Sequence, residues 1–524
     1  MNNASYKDKV IKGTAWNLLG TFLMLIIGIG SSVLYVRYLG SQDYGIAVYI
    51  TDMSIFAVTI CSLGLGTYQS KVLQQLNFES RYSEYKFVLI HNIKSRFLMV
   101  MAAILLIIVA GEFASDTVIL KNKSAVIFLV IFLVIQMLLA VLRGPLLVEY
   151  QQKFLNSLDV GLLLARLIIV LVVICFNYGL IGFLISEVIV EIGQLILLFY
   201  QFNRLVWPKI RDVQPQEYPG IFKTSLPMYL VDLSTKIYSK EYDVFLIGLL
   251  MGSQSFREIT IYSLNYVLVA RVFSFLGLGT SSSASLIMNF SSELIADNKA
   301  ELLKRFIEKQ FKMFVFLVLP IMFGGGIVGG NILQILYGKE FSDFSAINAL
   351  FFVGYSISVS SFIAKPILFV LGKEQALLKI RLLLALVKTV LLLFAIYNFG
   401  IIGVAVASVL IMSTSSIIEV ILLRECINFY FPKIYFIKIL ISCVVMSLCL
   451  LAILHSINTV DLVRLLLCIS LSSIAYLCSI YFLKPLDYED YETLNGFKMI
   501  QKLKLNKIIL LFCSSIDQNQ SAKR

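Results

Sequence analysis

The chain has 524 residues, of which 59% are hydrophobic and 15% charged, and its mean hydropathy is +0.88. Soluble domains run at roughly 45–50% apolar and about 25% charged, so this balance excludes an ordinary soluble enzyme, a disordered chain and a nucleic-acid-binding module. The formal charge of +12 reflects few acids rather than many bases, and points to basic loops lying against an anionic membrane leaflet.

An apolar run of about 20 residues crosses the roughly 30 Å hydrocarbon core of a bilayer. Fourteen such runs follow one another: 14–36, 44–66, 92–111, 125–146, 158–176, 179–201, 224–250, 259–281, 313–335, 346–370, 378–397, 400–423, 435–455 and 462–483. Lys7, Lys9 and Lys12 precede the first run, which is too long for the roughly 7–15-residue core of a cleavable signal. Barrel strands of about ten alternating residues do not fit runs this long and apolar on every side. Tight Asn/Gly turns are predicted at Asn177-Tyr178-Gly179 and at Asn398-Phe399-Gly400. Of the 44 Lys and Arg residues, 32 lie in or beside the termini and the loops on the termini's side, six on the other side and six inside runs. That bias predicts cytoplasmic termini and supports an even number of spans.

Three short matches recur at nearly one spacing. Leu63-Gly64-Leu65-Gly66-Thr67 returns as Leu276-Gly277-Leu278-Gly279-Thr280, Tyr38-Leu39-Gly40-Ser41 is similar to Leu250-Met251-Gly252-Ser253, and Asn177 to Gly182 is similar to Asn398 to Gly403. Each falls at the same place six runs later, so the copies run in the same direction and predict two parallel repeats. The expected fold is an all-α polytopic membrane protein with about 14 transmembrane helices, arranged as two six-helix lobes plus two C-terminal helices. The expected divisions are an N-terminal lobe at 1–203, a cytoplasmic linker at 204–222, a C-terminal lobe at 223–423, two added spans at 424–483 and a basic cytoplasmic tail at 484–524.

Charges inside the membrane cost about 2.5–3.5 kcal/mol each on insertion scales, so they are the strongest functional clues. Asp232, Lys236 and Lys240 stand at i, i+4 and i+8 in the seventh run, with Asp243 beyond them. As one helix they form a stripe in which Asp232 supports Lys236 and Asp243 supports Lys240. The two lysines still repel each other and suit a shared anion or water. Arg271 lies inside the eighth run, while Arg166, Lys365 and Lys388 are close enough to run ends to reach the interface. Asp52 is the acidic candidate in the second run, and Arg37 sits at the outer mouth of the first. Pro145, Pro227, Pro320 and Pro366 fall in or at the ends of runs, and Pro320 precedes Gly324-Gly325-Gly326 and Gly329-Gly330. These are expected points of helix compliance.

No P-loop, HExxH or paired-acid motif appears, and the loops are too short for a catalytic domain. The eight cysteines form no CxxC and read as small hydrophobes. His91 and His455 are too few for most histidine metal sites. The chain is therefore expected not to be an enzyme.

Gly13-Thr14-Ala15-Trp16-Asn17, the stretch Val36-Arg37-Tyr38-Leu39-Gly40-Ser41-Gln42-Asp43-Tyr44-Gly45 and the Leu-Gly-Leu-Gly segment resemble the polysaccharide biosynthesis, or lipid-linked oligosaccharide flippase, family. That family belongs to the multidrug/oligosaccharidyl-lipid/polysaccharide exporter superfamily. The resemblance spans essentially the whole chain. It implies movement of an undecaprenyl-diphosphate-linked oligosaccharide to the outer leaflet of a bacterial cytoplasmic membrane by alternating access. It implies contacts to the diphosphate from Lys236, Lys240, Arg271, Arg37 and Arg166. Asp52, Asp232 and Asp243 are candidates for coupling to a proton or Na⁺ gradient, with no cofactor or metal. Implied partners are the polyprenyl-diphosphate-linked glycan, the bilayer, and polysaccharide polymerase and assembly proteins, with no nucleic acid. The competing readings are a cation-coupled multidrug or metabolite antiporter, a peptidoglycan lipid-precursor flippase and, last, a sugar polymerase or ligase. The basic balance inside the runs argues against a pocket for organic cations.

Overall fold

The computed structural model describes residues 3–62, 64–113, 123–149, 151–252, 255–275, 281–297, 299–456 and 461–486. The Leu276–Thr280 copy of the repeated segment, Leu63 of the first copy, and the tail beyond residue 486 lie outside the described residues. No strand occurs among the described residues. In lipid the backbone must satisfy its own hydrogen bonds, and helices do so within one segment.

The helices in order are α1 (Asn3–Cys61), α2 (Leu65–Phe78), α3 (Tyr82–Phe113), α4 (Lys123–Val148), α5 (Gln152–Cys175), α6 (Gly179–Leu205), α7 (Ile221–Ile237), α8 (Lys240–Met251), α9 (Ser255–Phe275), α10 (Ser281–Ala296), α11 (Ala300–Tyr337), α12 (Ser345–Val370), α13 (Glu374–Ile427), α14 (Lys433–His455) and α15 (Leu462–Leu483). Ten helical stretches among the described residues are long and apolar enough to cross a membrane. Two of them hold two predicted spans each. A straight helix of the 59 residues of α1 would run roughly 88 Å at 1.5 Å per residue, about three times the hydrocarbon core. It is kinked at Gly40 (φ 78°, ψ 170°), and the 54-residue α13 is kinked at Gly400 (φ 58°, ψ −146°). Both backbone conformations are open to glycine and strained for other residues. The Asn177 turn forms as expected: Asn177 is left-handed at φ 54°, and the Tyr38 hydroxyl accepts the Gly179 N–H at 2.8 Å. At the second site Asn398 stays helical, donating to the Phe394 carbonyl at 2.8 Å, and the bend falls on Gly400 alone.

The seventh run departs most from expectation. Its helix stops at Ile237, Ser239 is extended (φ −85°, ψ 165°), and a new helix starts at Lys240. The expected single stripe of Asp232, Lys236 and Lys240 is therefore divided between two half-helices.

The chain forms two compact units: residues 1–276 with 375–411, and residues 277–374 with 412–524. In the first unit, Tyr35, Ile50, Phe132, Val170 and Phe183 knit α1, α4, α5 and α6 together. A second apolar cluster there joins α2 through α6 around Leu73, Tyr85, Leu146 and Leu198. The connections on one side of this unit meet. Lys86 Nζ donates to the Val213 carbonyl at 2.8 Å, Gln216 N–H to the Ser83 carbonyl at 3.2 Å, and Lys209 pairs with Glu149 at 2.7 Å. Loops 2–3, 4–5 and 6–7 thus share a face, as the alternation of spans requires. In the second unit, Val315, Ile439, Cys443 and Ile480 pack α11, α14 and α15 together. The glycines after Pro320 form a contact face: side chains at Gly325, Gly329 and Gly330 would collide with Phe352, Asn348 and Ser345, so their small size lets α12 approach α11 closely.

Helix α13 explains how an apolar span carries a charge. Leu386, Val390, Phe394 and Tyr397 are 60–75% exposed along one face, whereas Ala385, Lys388, Leu392 and Ala395 are buried. The first face suits lipid tails and the second meets protein. Lys388 is 0% exposed, so it does not extend to the interface as its place in the run suggested.

Candidate functional site

The candidate headgroup and coupling residues Arg37, Asp52, Arg166, Asp232, Lys236, Lys240, Asp243 and Arg271 lie in the first compact unit, whereas Lys365 lies in the second. A cavity of about 200 Å³ there is lined by Asp52 of α1, Arg166 of α5, Glu187 of α6, Lys240 of α8 and Arg271 of α9, together with Ser31, Tyr35 and Thr51. Gly28 leaves room for the Arg271 guanidinium, since a β-carbon there would stand 3.1 Å from Arg271 Cζ. Lys240, the first residue after the helix break, pairs with Asp52 at 2.7 Å. Arg166 pairs with Glu187 at 2.7 Å, and Tyr35 Oη donates to Glu187 at 3.4 Å. Three cations and two carboxylates line this space.

A second cavity of about 590 Å³ is lined by α1, α4, α5 and α6 and shares Thr51, Leu163 and Arg166 with the first. Here Gln136 Nε2 donates to Glu191 at 2.7 Å, and Arg143 pairs with Asp159 at 2.5 Å.

The sequence-derived partnerships change. Lys240 is held by Asp52 rather than Asp243, and Lys236 lies 3.6 Å from Glu241. Asp243 is 1% exposed and pairs with Lys388 at 2.7 Å, while Tyr262 and Ser408 donate to its other oxygen at 2.6 and 2.9 Å. Lys388 also donates to the Ile237 carbonyl at 2.8 Å. One ammonium thus reaches both sides of the break, the last residue of α7 and the first turn of α8. The break turns Lys236 and Lys240, four apart in sequence, away from one another, while Lys240 and Asp243, both in α8, each find a partner on another helix, Asp52 of α1 and Lys388 of α13. Asp232 acts electrostatically on the buried Arg96 of α3, and Arg37 is exposed on α1. Neither these residues nor Lys236 and Asp243 line the first cavity.

Sequence reasoning missed Glu187 and Glu191, one turn apart in the apolar α6 and 7% and 5% exposed. The signal was present, because the cost of a mid-membrane charge that singled out the cations applies equally to carboxylates. Gln136 and the Arg143–Asp159 pair carried no comparable signal, since each lies in an otherwise ordinary stretch and gains meaning only through a partner on another helix. Among the described residues, no group of three or more His, Cys, Asp or Glu is placed to hold a metal ion.

Similar proteins fix the fold. A solved structure described as lipid II flippase MurJ in an inward closed conformation matches with a TM-score of 0.63 at 18% identity, covering 88% of this chain and 97% of that one. An inward-facing multidrug resistance MATE family transporter of the MOP superfamily matches with a TM-score of 0.61 at 13% identity, covering 78% and 94%. A MATE structure in complex with MaL6 matches with a TM-score of 0.52 at 13% identity, covering 78% and 94%. A comparison with curated proteins finds no match. The profile of the family described as polysaccharide biosynthesis protein matches residues 34–346, more than half of the chain and including the Arg37–Gly45 stretch. This all-helical, multi-pass membrane chain belongs to the polysaccharide biosynthesis protein family.

Proposed function

We propose that the protein is a flippase that carries a polyprenyl-diphosphate-linked oligosaccharide from the cytoplasmic to the outer leaflet of a bacterial cytoplasmic membrane. The observation that carries this reading is the first cavity, with Arg166, Lys240 and Arg271 around one space in a membrane-embedded unit. A diphosphate crossing about 30 Å of hydrocarbon needs charged donors to replace its water, and the convergence of these three cations on one cavity supplies that chemistry. The polyprenyl tail stays in lipid throughout, so no bond is made or broken. Residues 1–203 and 223–423 act as the two lobes of an alternating-access cycle, with 204–222 as a cytoplasmic linker and both termini cytoplasmic. Asp52 and Asp243, each tied to a lysine, are the candidate sites where a proton or Na⁺ gradient drives the cycle. Polymerase and assembly proteins are the expected partners downstream.

The test is translocation in proteoliposomes of a short polyprenyl-diphosphate oligosaccharide under imposed proton or Na⁺ gradients. Arg271→Ala is expected to lower the rate at least tenfold with the protein's membrane abundance unchanged. An equal loss of abundance would make Arg271 a structural residue. Organic-cation efflux without movement of the lipid probe under any gradient would replace this reading with the antiporter.

A further inference from the structure

We propose that the second cavity is a glycan subsite that holds an uncharged sugar next to the diphosphate, an inference that rests on the flippase reading. Its volume of about 590 Å³ falls within the roughly 300–1,000 Å³ of small-molecule sites. It shares the lining residues Thr51, Leu163 and Arg166 with the cationic cavity, so the two spaces are neighbours, as a headgroup with its phosphates in the first and its sugar in the second requires. The ionised groups differ between the two. The second cavity is lined by two cations, Arg143 and Arg166, and an equal number of carboxylates, Asp159 and Glu191, so nothing there selects an anion.

Glu191 supplies the specific evidence. It is 5% exposed. Gln136 occupies one carboxylate oxygen at 2.7 Å, and the other, Oε2, has no hydrogen-bond partner among the described residues. A buried, unsatisfied carboxylate oxygen is costly, and a donor from a ligand would remove that cost. Sugar hydroxyls and acetamido N–H groups are such donors. Gln194 offers further amide groups, while Leu139, Leu162 and Val190 give the apolar surface that the C–H face of a pyranose covers.

Two probes test this on the full-length protein in detergent: a short-chain polyprenyl diphosphate carrying one N-acetylhexosamine, and the same lipid without sugar. The sugar-bearing probe is expected to bind wild type at least tenfold more tightly than the bare one. Glu191→Gln and Gln136→Leu should abolish that difference while leaving affinity for the bare probe within twofold, which also shows that the variants fold. In parallel, methyl glycosides of neutral hexoses and N-acetylhexosamines should protect Gln194→Cys from maleimide, read at that residue by mass spectrometry. Binding of the bare lipid with no gain from sugar and no protection by any glycoside would overturn the subsite, leaving a cavity that holds water, and would leave the flippase reading standing. Protection by glycosides with no binding of either lipid would keep the sugar site and overturn the diphosphate assignment.

Discussion

Asp243 and Lys388 pair at 2.7 Å with neither side chain more than 1% exposed. Moving two charges out of water is expensive, and mutual attraction with good hydrogen bonding only offsets that expense. Lys388→Met alone strands the carboxylate, and a loss of about 3–5 kcal/mol in stability is expected. Lys388→Met combined with Asp243→Leu should recover most of it. Thermal unfolding of the three proteins in one detergent checks this, and a double variant as unstable as the single would remove electrostatics as the cause. At this scale the sequence showed which residues were out of place in a membrane but not their partners. Lys240 finds Asp52 and Arg166 finds Glu187 across different helices, and no local spacing encodes those pairs.

The elements were legible where composition alone decides them. Long apolar runs became helices because lipid offers no alternative for the backbone. The break at Tyr238-Ser239 was not legible, since no proline or glycine marks it. It is held instead by one tertiary bond, Lys388 Nζ to the Ile237 carbonyl, and one local bond, Ser239 Oγ to the Lys236 carbonyl at 2.7 Å. Glycine positions divide by backbone conformation. Gly400→Ala forces a side chain into φ 58°, ψ −146° and should cost about 1–3 kcal/mol. Gly193→Ala, inside α6 with open space at its β-carbon, should be neutral or stabilising by about 0.4–1 kcal/mol. Paired thermal unfolding midpoints decide the matter, and equal effects would mean that backbone conformation at Gly400 carries no constraint.

For the whole molecule, the predicted runs match the helices once α1 and α13 are each read as two spans and α7–α8 as one broken span. The clustering of Lys86, Lys209 and Glu149 about the 206–216 connection puts three loops on one face. We propose, from the charge bias, that this face is cytoplasmic. Asp212, whose side chain is 78% exposed, marks it, so Asp212→Cys should react with an impermeant maleimide only after cells are permeabilised. A cysteine at Arg257, in the first turn of α9, should react in intact cells. The reverse pattern would invert the topology and, with it, the direction of transport. The family was legible in Arg37–Gly45, whereas the glycan was not, because the groups around the second cavity come from four helices.

The clamp across the broken helix also constrains how this chain can evolve. Either single replacement of Asp243 or Lys388 passes through a weakened protein, so drift at one position is blocked until the other has changed. Lineages that descend from a common ancestor should therefore keep both residues or have exchanged both, and the two columns should vary as one character even where the exposed apolar face of α13 varies freely.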